Sequence, residues 1–446
     1  MFFDFVVLSR TMKRINRRTT LTLFLGDILF FVIALWLTLF IRYAEWPSQA
    51  LFLQHLGPFA IIFAVWLVVF FIFDLYRRPT TLFRRQLPSV ILRAQITNTL
   101  IAIIFFYYLP VFGIAPRTNL FIYLIVSFGL IVAWRTLARR FSLRRLVTNL
   151  IFICRGAEVD ELKEEFKSND RYDIKVVAAS EAESLVNDNL MVIFNPYDRE
   201  GPVNRQSLYR LIFAGVTFIN VHDLYEEIFE RIPVSILDEQ WFIENISSRG
   251  AVTYDLFKRA MDIAVSLVLG LISLVFYPFI ILAIKIEDGN EIFTHQNRAG
   301  RNNQIIQVVK FRTMLFTDNG DWQNQDKVNR VTKVGNFLRR TRLDELPQLW
   351  NVLRGDVSLI GPRPEFPKAV EHYADKIPYY NIRHLIKPGL SGWAQIYGEH
   401  PHHGLEIETT QNKLSHDLYY VKHRGIILDI IIGLKTIRTL LSRSGI

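Results

Sequence analysis

Residues 258–289 read KRAMDIAVSLVLGLISLVFYPFIILAIKIEDG, and the way this run meets a membrane decides on which side the last third of the chain lies. The apolar part, Ile263 to Ile284, is long enough for a bilayer-spanning helix, which needs roughly 20 residues. Basic residues flank it on both sides: Lys258 and Arg259 before it, Lys285, Arg298, Arg301, Lys310 and Arg312 after it. Pro278 sits well inside, where it removes a backbone hydrogen bond and bends or breaks a helix. A helix that enters one leaflet, turns at Pro278 and returns keeps both basic flanks on one face. The competing reading, a fifth true span, rests on hydropathy alone.

Upstream, four stretches fit the spanning length: approximately Leu21 to Ile41, Leu56 to Phe73, Val90 to Leu109 and Leu120 to Leu137. Arginines gather before the first, between the second and third (Arg77, Arg78, Arg84, Arg85) and after the fourth (Arg135 to Arg145). The positive-inside rule then predicts that the N-terminus and everything after the fourth span are cytoplasmic. Asp27, inside the first span, is costly in lipid and either serves a function or faces a neighbouring helix. The 446 residues carry a formal charge of +10 and one cysteine, Cys154. An internal disulfide and a cysteine-based zinc cluster are excluded. The charge calls for an anionic partner such as lipid headgroups or a phosphorylated substrate, and membrane-facing basic residues account for much of it without nucleic acid.

Between about Asn149 and Ser248, short β-branched runs (NLIFIC, IKVVAAS, MVIFNP, VTFINV) alternate with helical patterns such as AEVDELKEEFKSN. That alternation predicts a small Rossmann-like α/β domain with a mainly parallel sheet. The first strand is followed by CRGAEV with Gly156 as its one glycine, so the three-glycine phosphate loop of a dinucleotide site is missing.

The chemistry gathers in TRLDELPQLWNVLRGDVSLIGPRPE, residues 341–365. A helix starting near Asp344 and ending at Gly355 would put Pro347 in its first turn and the Asp344–Glu345 pair at its N-terminus, which favours anions. Taken alone, such a pair reads as an acidic helix cap. Arg339, Arg340, Arg342, Arg354 and Arg363 around it suit bidentate phosphate binding. A carboxylate pair among arginines beside a membrane suits Mg²⁺ and a pyrophosphate, with one carboxylate available as nucleophile.

KRAMDIAVSLVLG, YPFIILAIKIEDG, QNRAG, KFRTM, LDELPQLWNVLRGDVSLIGPRPE, KPGLSGWAQ and DLYYVKH, in that order from about Tyr254 to Leu441, resemble the bacterial polyprenyl-phosphate hexose-1-phosphate transferases, the monotopic phosphoglycosyl transferases. The resemblance implies three parts: a four-helix membrane bundle over 1–147, the α/β domain over 148–250, and a mainly helical catalytic domain over 251–446 with a re-entrant helix at about 263–284. It also implies a reaction in which a UDP-sugar gives its sugar-1-phosphate to undecaprenyl phosphate, through a covalent intermediate on the aspartate of the pair. Carried over, Asp344 is the nucleophile and Glu345 the Mg²⁺-associated carboxylate. Lys310, Arg312, Arg339, Arg342 and Arg363 are candidates for phosphate or uridine binding, Lys387 and Gln395 for a glycine-shaped loop over the site. Arg298 and Asp262 are candidates for placing the re-entrant run or the lipid phosphate.

The resemblance further implies membrane lipids as partners, a bacterial inner-membrane location and a homodimer. A membrane scaffold or nucleotide-responsive regulator with an idle transferase domain is the alternative. The chain departs from the family at Asn290, at Tyr277 and in the loop bearing His400, His402 and His403, which reads as a variable surface loop more readily than as a zinc site. The final stretch, too charged to span, is predicted to lie as a helix in the membrane interface.

Overall fold

The computed structural model describes residues 2–76, 81–108, 117–142, 148–167, 172–175, 190–197, 216–246, 252–289, 291–315, 330–398 and 406–442. The chain divides into two compact units. One holds Met1–Phe152, Glu161–Val192 and Asn204–Thr217; the other holds Ile153–Asp160, Ile193–Val203 and Phe218–Ile446.

Four helices open the chain: α1 (Phe2–Tyr43), α2 (Gln49–Ile72), α3 (Thr81–Tyr108) and α4 (Arg117–Ser142). Within them Leu21–Tyr43, Gln49–Ile72, Leu87–Tyr108 and Asn119–Ala138 are long and apolar enough to cross a membrane, matching the four predicted spans. Aromatic side chains fill the bundle core, with Phe31, Trp66, Phe70 and Tyr123 all buried. Their polar ends bond across helices: Trp66 Nε1 donates to the Asn98 carbonyl at 2.9 Å and Tyr123 Oη to that of Phe31 at 3.0 Å. Asp27 faces a neighbouring helix. Its carboxylate pairs with Arg135 of α4, both fully enclosed, and Arg135 also donates to the Leu75 carbonyl at 2.6 Å.

The α/β segment contributes β1 (Thr148–Phe152), α5 (Ala157–Lys167), β2 (Tyr172–Lys175), β3 (Leu190–Phe194) and β4 (Thr217–Asn220), with strand order β2-β1-β3-β4. β1 and β2 run parallel, with Thr148 opposite Tyr172. The segment that follows, with α6 (Val221–Phe229) and α7 (Glu239–Asn245), packs onto the C-terminal residues. The Ile232 amide donates to the Ser415 carbonyl at 3.0 Å, Trp393 Nε1 to that of Glu230 at 2.8 Å, and Glu226 is bonded by Lys422 and His423.

The decisive apolar run forms two helices, α8 (Val252–Ser273) and α9 (Tyr277–Asp288), bent by 56°. The break falls in the turn Leu274–Phe276, just before Pro278, which occupies the first turn of α9 where a missing N–H removes no helical bond. The turn keeps its backbone satisfied. Leu274, Val275 and Phe276 donate to Gly270, Ile272 and Ser273, and Ile280 donates to Phe276, as an apolar surrounding requires. Val275, Phe279, Leu282 and Ile286 leave an exposed apolar face across the bend.

Next come the antiparallel hairpin β5 (Phe293–Ala299) and β6 (Ile305–Phe311), then α10 (Lys333–Thr341), a 3-10 turn (Leu343–Glu345), α11 (Gln348–Arg354) and β7 (Ser358–Ile360). The chain continues through α12 (Pro367–Lys376), β8 (Gly389–Ser391), α13 (Trp393–Tyr397), α14 (Ile407–His423) and α15 (Ile426–Ser442). Two charges of the expected interfacial helix turn inward. Asp429 is buried against Lys258, Tyr254 and Tyr420, and Lys435 is buried over the Tyr397 ring.

Replacing Arg135 alone by Met leaves Asp27 buried without its cation, which costs about 3–5 kcal/mol. The double variant Asp27→Leu/Arg135→Met is expected to unfold near the unsubstituted protein, as read by thermal unfolding in detergent. Equal stability of Arg135→Met and the unsubstituted chain would show that the pair contributes nothing.

Candidate active site

The site is built from side chains that the hairpin, α10 and two short turns bring to one cleft of about 440 Å³. On β5, Thr294, Gln296 and Arg298 fall at every second position and therefore point to one face, which lines the cleft. On the partner strand Lys310 lies opposite Thr294 and shares that face, followed by Arg312 beyond the strand end. Asn351 of α11 locks this strand in place: its amide donates to the Gln307 carbonyl at 2.8 Å and accepts from the Val309 amide at 3.1 Å.

Two further elements close the wall. α10 is capped by the Thr332 hydroxyl and approaches so closely that a Cβ on Gly335 would lie 2.1 Å from the Thr313 carbonyl oxygen. That approach lets Arg339 donate to the Thr313 hydroxyl at 3.0 Å. α10 ends at Arg342, whose left-handed backbone (φ 57°) turns the chain directly into the 3-10 turn carrying Asp344 and Glu345. The pair therefore precedes the α-helix instead of opening it. Pro347 stands at the N-terminal boundary of α11 without a side-chain capping bond, and Gly355 (φ 98°) ends the helix as expected.

Among the lining residues are six basic side chains (Arg298, Lys310, Arg312, Arg339, Arg342, Arg363) and two carboxylates, Asp344 and Glu345. Glu345 Oε1 accepts from Lys310 at 2.9 Å and from Arg363 at 2.8 Å, with Arg342 Nη1 at 3.8 Å. Burial alone would raise its pKa, but Arg363, Lys310 and Arg342 together hold it well below the usual carboxylate range. Asp344 is the opposite case. Burial, then the neighbouring Glu345 charge, raises its pKa against the pull of Lys310, Arg339 and Arg342. Among the described residues its Oδ1 is buried with no hydrogen-bond partner. Lys310 is lowered by burial, with Glu345 opposing; Arg363 is raised by Glu345.

The remaining predicted residues stand outside the lining. Asp262 is buried in α8 and accepts from the Ser358 hydroxyl at 2.7 Å and the Leu359 amide at 3.1 Å, fastening the bent helix pair to β7. Lys387 is exposed at the start of a loop whose backbone braces the strand leading to Arg363: Pro388 accepts from Ser358 at 2.8 Å and Gly389 donates to Pro362 at 2.9 Å. Gln395 Nε2 reaches the Leu390 carbonyl at 3.4 Å. His400, His402 and His403 lie outside the described residues. Thr294, Gln296, Thr313 and Asn336 line the cleft without having been singled out from sequence, although the alternation Thr294-Gln296-Arg298 carried a usable signal.

Residues 253–443, which hold every cleft residue, match the family model described as bacterial sugar transferase. The chain is 37% identical over 197 residues to a UDP-glucose:undecaprenyl-phosphate glucose-1-phosphate transferase of Caulobacter vibrioides, covering 43% of this chain and 72% of that protein. The chain belongs to the bacterial sugar transferase family. It is also 37% identical over 243 residues (53% of this chain) to a UDP-N-acetylgalactosamine-undecaprenyl-phosphate N-acetylgalactosaminephosphotransferase of Aeromonas hydrophila. To a UDP-glucose:undecaprenyl-phosphate glucose-1-phosphate transferase of Escherichia coli it is 42% identical over 185 residues, 41% of this chain. It spans 55% and 39% of the lengths of these last two relatives.

Gly335→Ala is expected to push α10 off the Thr313 backbone and lower stability by about 1–3 kcal/mol, as read by thermal melting. An unchanged melting temperature would show that the close approach of Gly335 to Thr313 can relax at no cost.

Proposed function

We propose that the chain transfers a sugar-1-phosphate from a UDP-sugar to undecaprenyl phosphate, releasing UMP, as the first membrane step of an exopolysaccharide, capsule or O-antigen pathway. The observation that carries this reading is a buried carboxylate, Asp344, which among the described residues has an unpartnered oxygen in a cleft lined by six cations. The names of the relatives support the substrate classes.

In the first step an Asp344 carboxylate oxygen bonds to the β-phosphorus and the bond from that phosphorus to the bridging oxygen breaks, so UMP leaves with the electron pair. In the second, an oxygen of the lipid phosphate bonds to the same phosphorus and the Asp344 carboxylate departs. Splitting the exchange lets two bulky substrates use one cleft in turn. Lys310, Arg312, Arg339, Arg342 and Arg363 bind the phosphate oxygens and balance the charge that would otherwise repel the nucleophile. Arg298 extends that cationic lining along β5.

Mg²⁺ fits the donors present. It is commonly held by one or two carboxylates together with substrate phosphates, and the pair offers the free Oδ1 of Asp344 beside Glu345. When bound it would supply charge neutralisation at the diphosphate. Lys310 and Arg363 already occupy one oxygen of Glu345, so that residue also anchors the cations. α8 and α9 form the re-entrant element. They keep the cleft at the cytoplasmic face of the inner membrane, where the lipid phosphate lies, and the Rossmann-like α/β segment serves as a structural module.

Purified chain in nanodiscs with undecaprenyl phosphate, Mg²⁺ and a panel of UDP-sugars is expected to release UMP; silence with every sugar would sink the assignment. Asp344→Asn is expected to abolish turnover and the phosphosugar adduct seen by intact mass without acceptor. Because Asp344 must be ionised to attack and its pKa is raised by burial, activity should climb with pH through a limb above the ordinary aspartate value. A limb at that ordinary value in kcat/KM against pH would contradict the role.

A further inference from the structure

Behind the wall that presents Arg363 lies a charged cluster that the reaction above does not use. Arg383, in the 3-10 turn Tyr380–Leu385, is 1% exposed. Its Nε donates to Asp417 Oδ2 at 2.9 Å, its Nη1 to the Tyr380 hydroxyl at 3.0 Å and its Nη2 to the backbone carbonyl of Arg363 at 3.0 Å. Asp417, on α14, is equally buried at 1%. An enclosed ion pair of this kind is weak evidence for stability, since apolar residues of similar volume often replace one without loss.

The corner it touches explains why a charge is useful there. Pro362 and Pro364 have no N–H, so the chain beside Arg363 has few amides by which to be fastened. Its three consecutive carbonyls are used instead. Pro362 accepts from the Gly389 amide at 2.9 Å, Arg363 from Arg383 at 3.0 Å and Pro364 from Arg298 at 3.4 Å. The middle one belongs to the residue whose guanidinium meets Glu345 at 2.8 Å.

We propose that Arg383, oriented by Asp417 and Tyr380, is a positioning residue: it holds the Arg363 backbone so that the Arg363 guanidinium is fixed against Glu345, beside the nucleophile. This rests on the transferase reading given above. The buried pair serves the geometry of the reaction more than the stability of the fold.

The test is a double-mutant cycle on the full chain in nanodiscs, reading UMP release and melting temperature. Arg363→Gln is expected to lower kcat about 10²-fold, the typical loss of one transition-state charge contact. Arg383→Met/Asp417→Leu, an apolar replacement of the pair, should melt near the unsubstituted chain yet lose at least about tenfold in kcat. Combining the two should fall no more than about threefold below Arg363→Gln alone, because both act through one contact. Losses that multiply would overturn the proposal, since a merely structural pair leaves the contribution of Arg363 intact. Should the apolar replacement melt far lower, Arg383→Lys enters the same cycle under the same criterion: it keeps a cation for Asp417 but lacks the fork that reaches the Arg363 carbonyl. No UMP release by the unsubstituted chain overturns the transferase reading and this proposal together. Release that depends on Asp344, with multiplying losses in the cycle, overturns this proposal alone.

Discussion

Lys310 arrives on a strand, Arg342 from the end of a helix and Arg363 on a proline-stiffened corner, and all three converge on one oxygen of Glu345. Contacts at 2.8 and 2.9 Å are each worth about 6 kcal/mol at an effective dielectric near 20. Withdrawing a carboxylate from water costs several kcal/mol. Two such contacts outweigh that cost, so Glu345 stays ionised although burial opposes it. The consequence reaches beyond one residue, because mutually repelling cations are pinned at fixed places before any ligand enters. Asp344, next in sequence, shares the burial and receives none of the direct bonds. The pKa values of adjacent carboxylates are thus pushed in opposite directions by environment alone, a common sign that two like groups carry different tasks.

Holding that node requires a rigid frame, and the frame is fastened mainly through backbone atoms. Asn351 clamps α11 to β6, Asp262 ties α8 to β7, and Arg259 donates to the carbonyls of Val352 and Leu353 at 2.6 and 2.7 Å at the end of α11. A cation at a helix C-terminus satisfies carbonyls that have no helical partner and complements the helix dipole. These links run from the bent apolar helix pair to the segment bearing Asp344.

Much of this was legible because hydropathy and charge are additive along a chain. The four spans agree with the sequence to within a few residues except at the start of the second. The bend was legible through Pro278, but it falls one turn earlier than the proline, at Leu274–Phe276, because proline fits the first turn of the following helix and does not break it. The Asp-Glu pair was recognisable as chemistry but not as a 3-10 turn, since that depends on Arg342 adopting a left-handed backbone that no local preference dictates. Asp429 and Lys435 looked like surface charges, because the residues that enclose them lie far away in sequence. Arg383 was invisible for the same reason: its partner is 34 positions on, and a buried pair has no periodic signature. Lys387 and Gln395 belong to a motif that stands outside the cleft lining and whose glycines allow close packing. A Cβ on Gly389 would lie 2.1 Å from the Gly361 amide nitrogen, so the motif encodes close backbone packing beneath the Arg363 corner.

The unpartnered oxygen of Asp344 follows from the same frame. A buried acceptor without a donor costs about 1–3 kcal/mol, which folding ordinarily avoids by a small side-chain rotation. Here the short turn between Arg342 and Pro347 leaves little freedom, and Lys310 and Arg363 are drawn to Glu345 while Arg339 donates to the Thr313 hydroxyl. On the proposed reaction, bonding to phosphorus removes the negative charge from that carboxylate and relieves its repulsion with Glu345. The displaced burden moves to phosphate oxygens facing cations already in position. Ground-state destabilisation at Asp344 and transition-state stabilisation by the surrounding cations are then two effects of a single arrangement, in which Glu345 claims the donors and its neighbour is left without them.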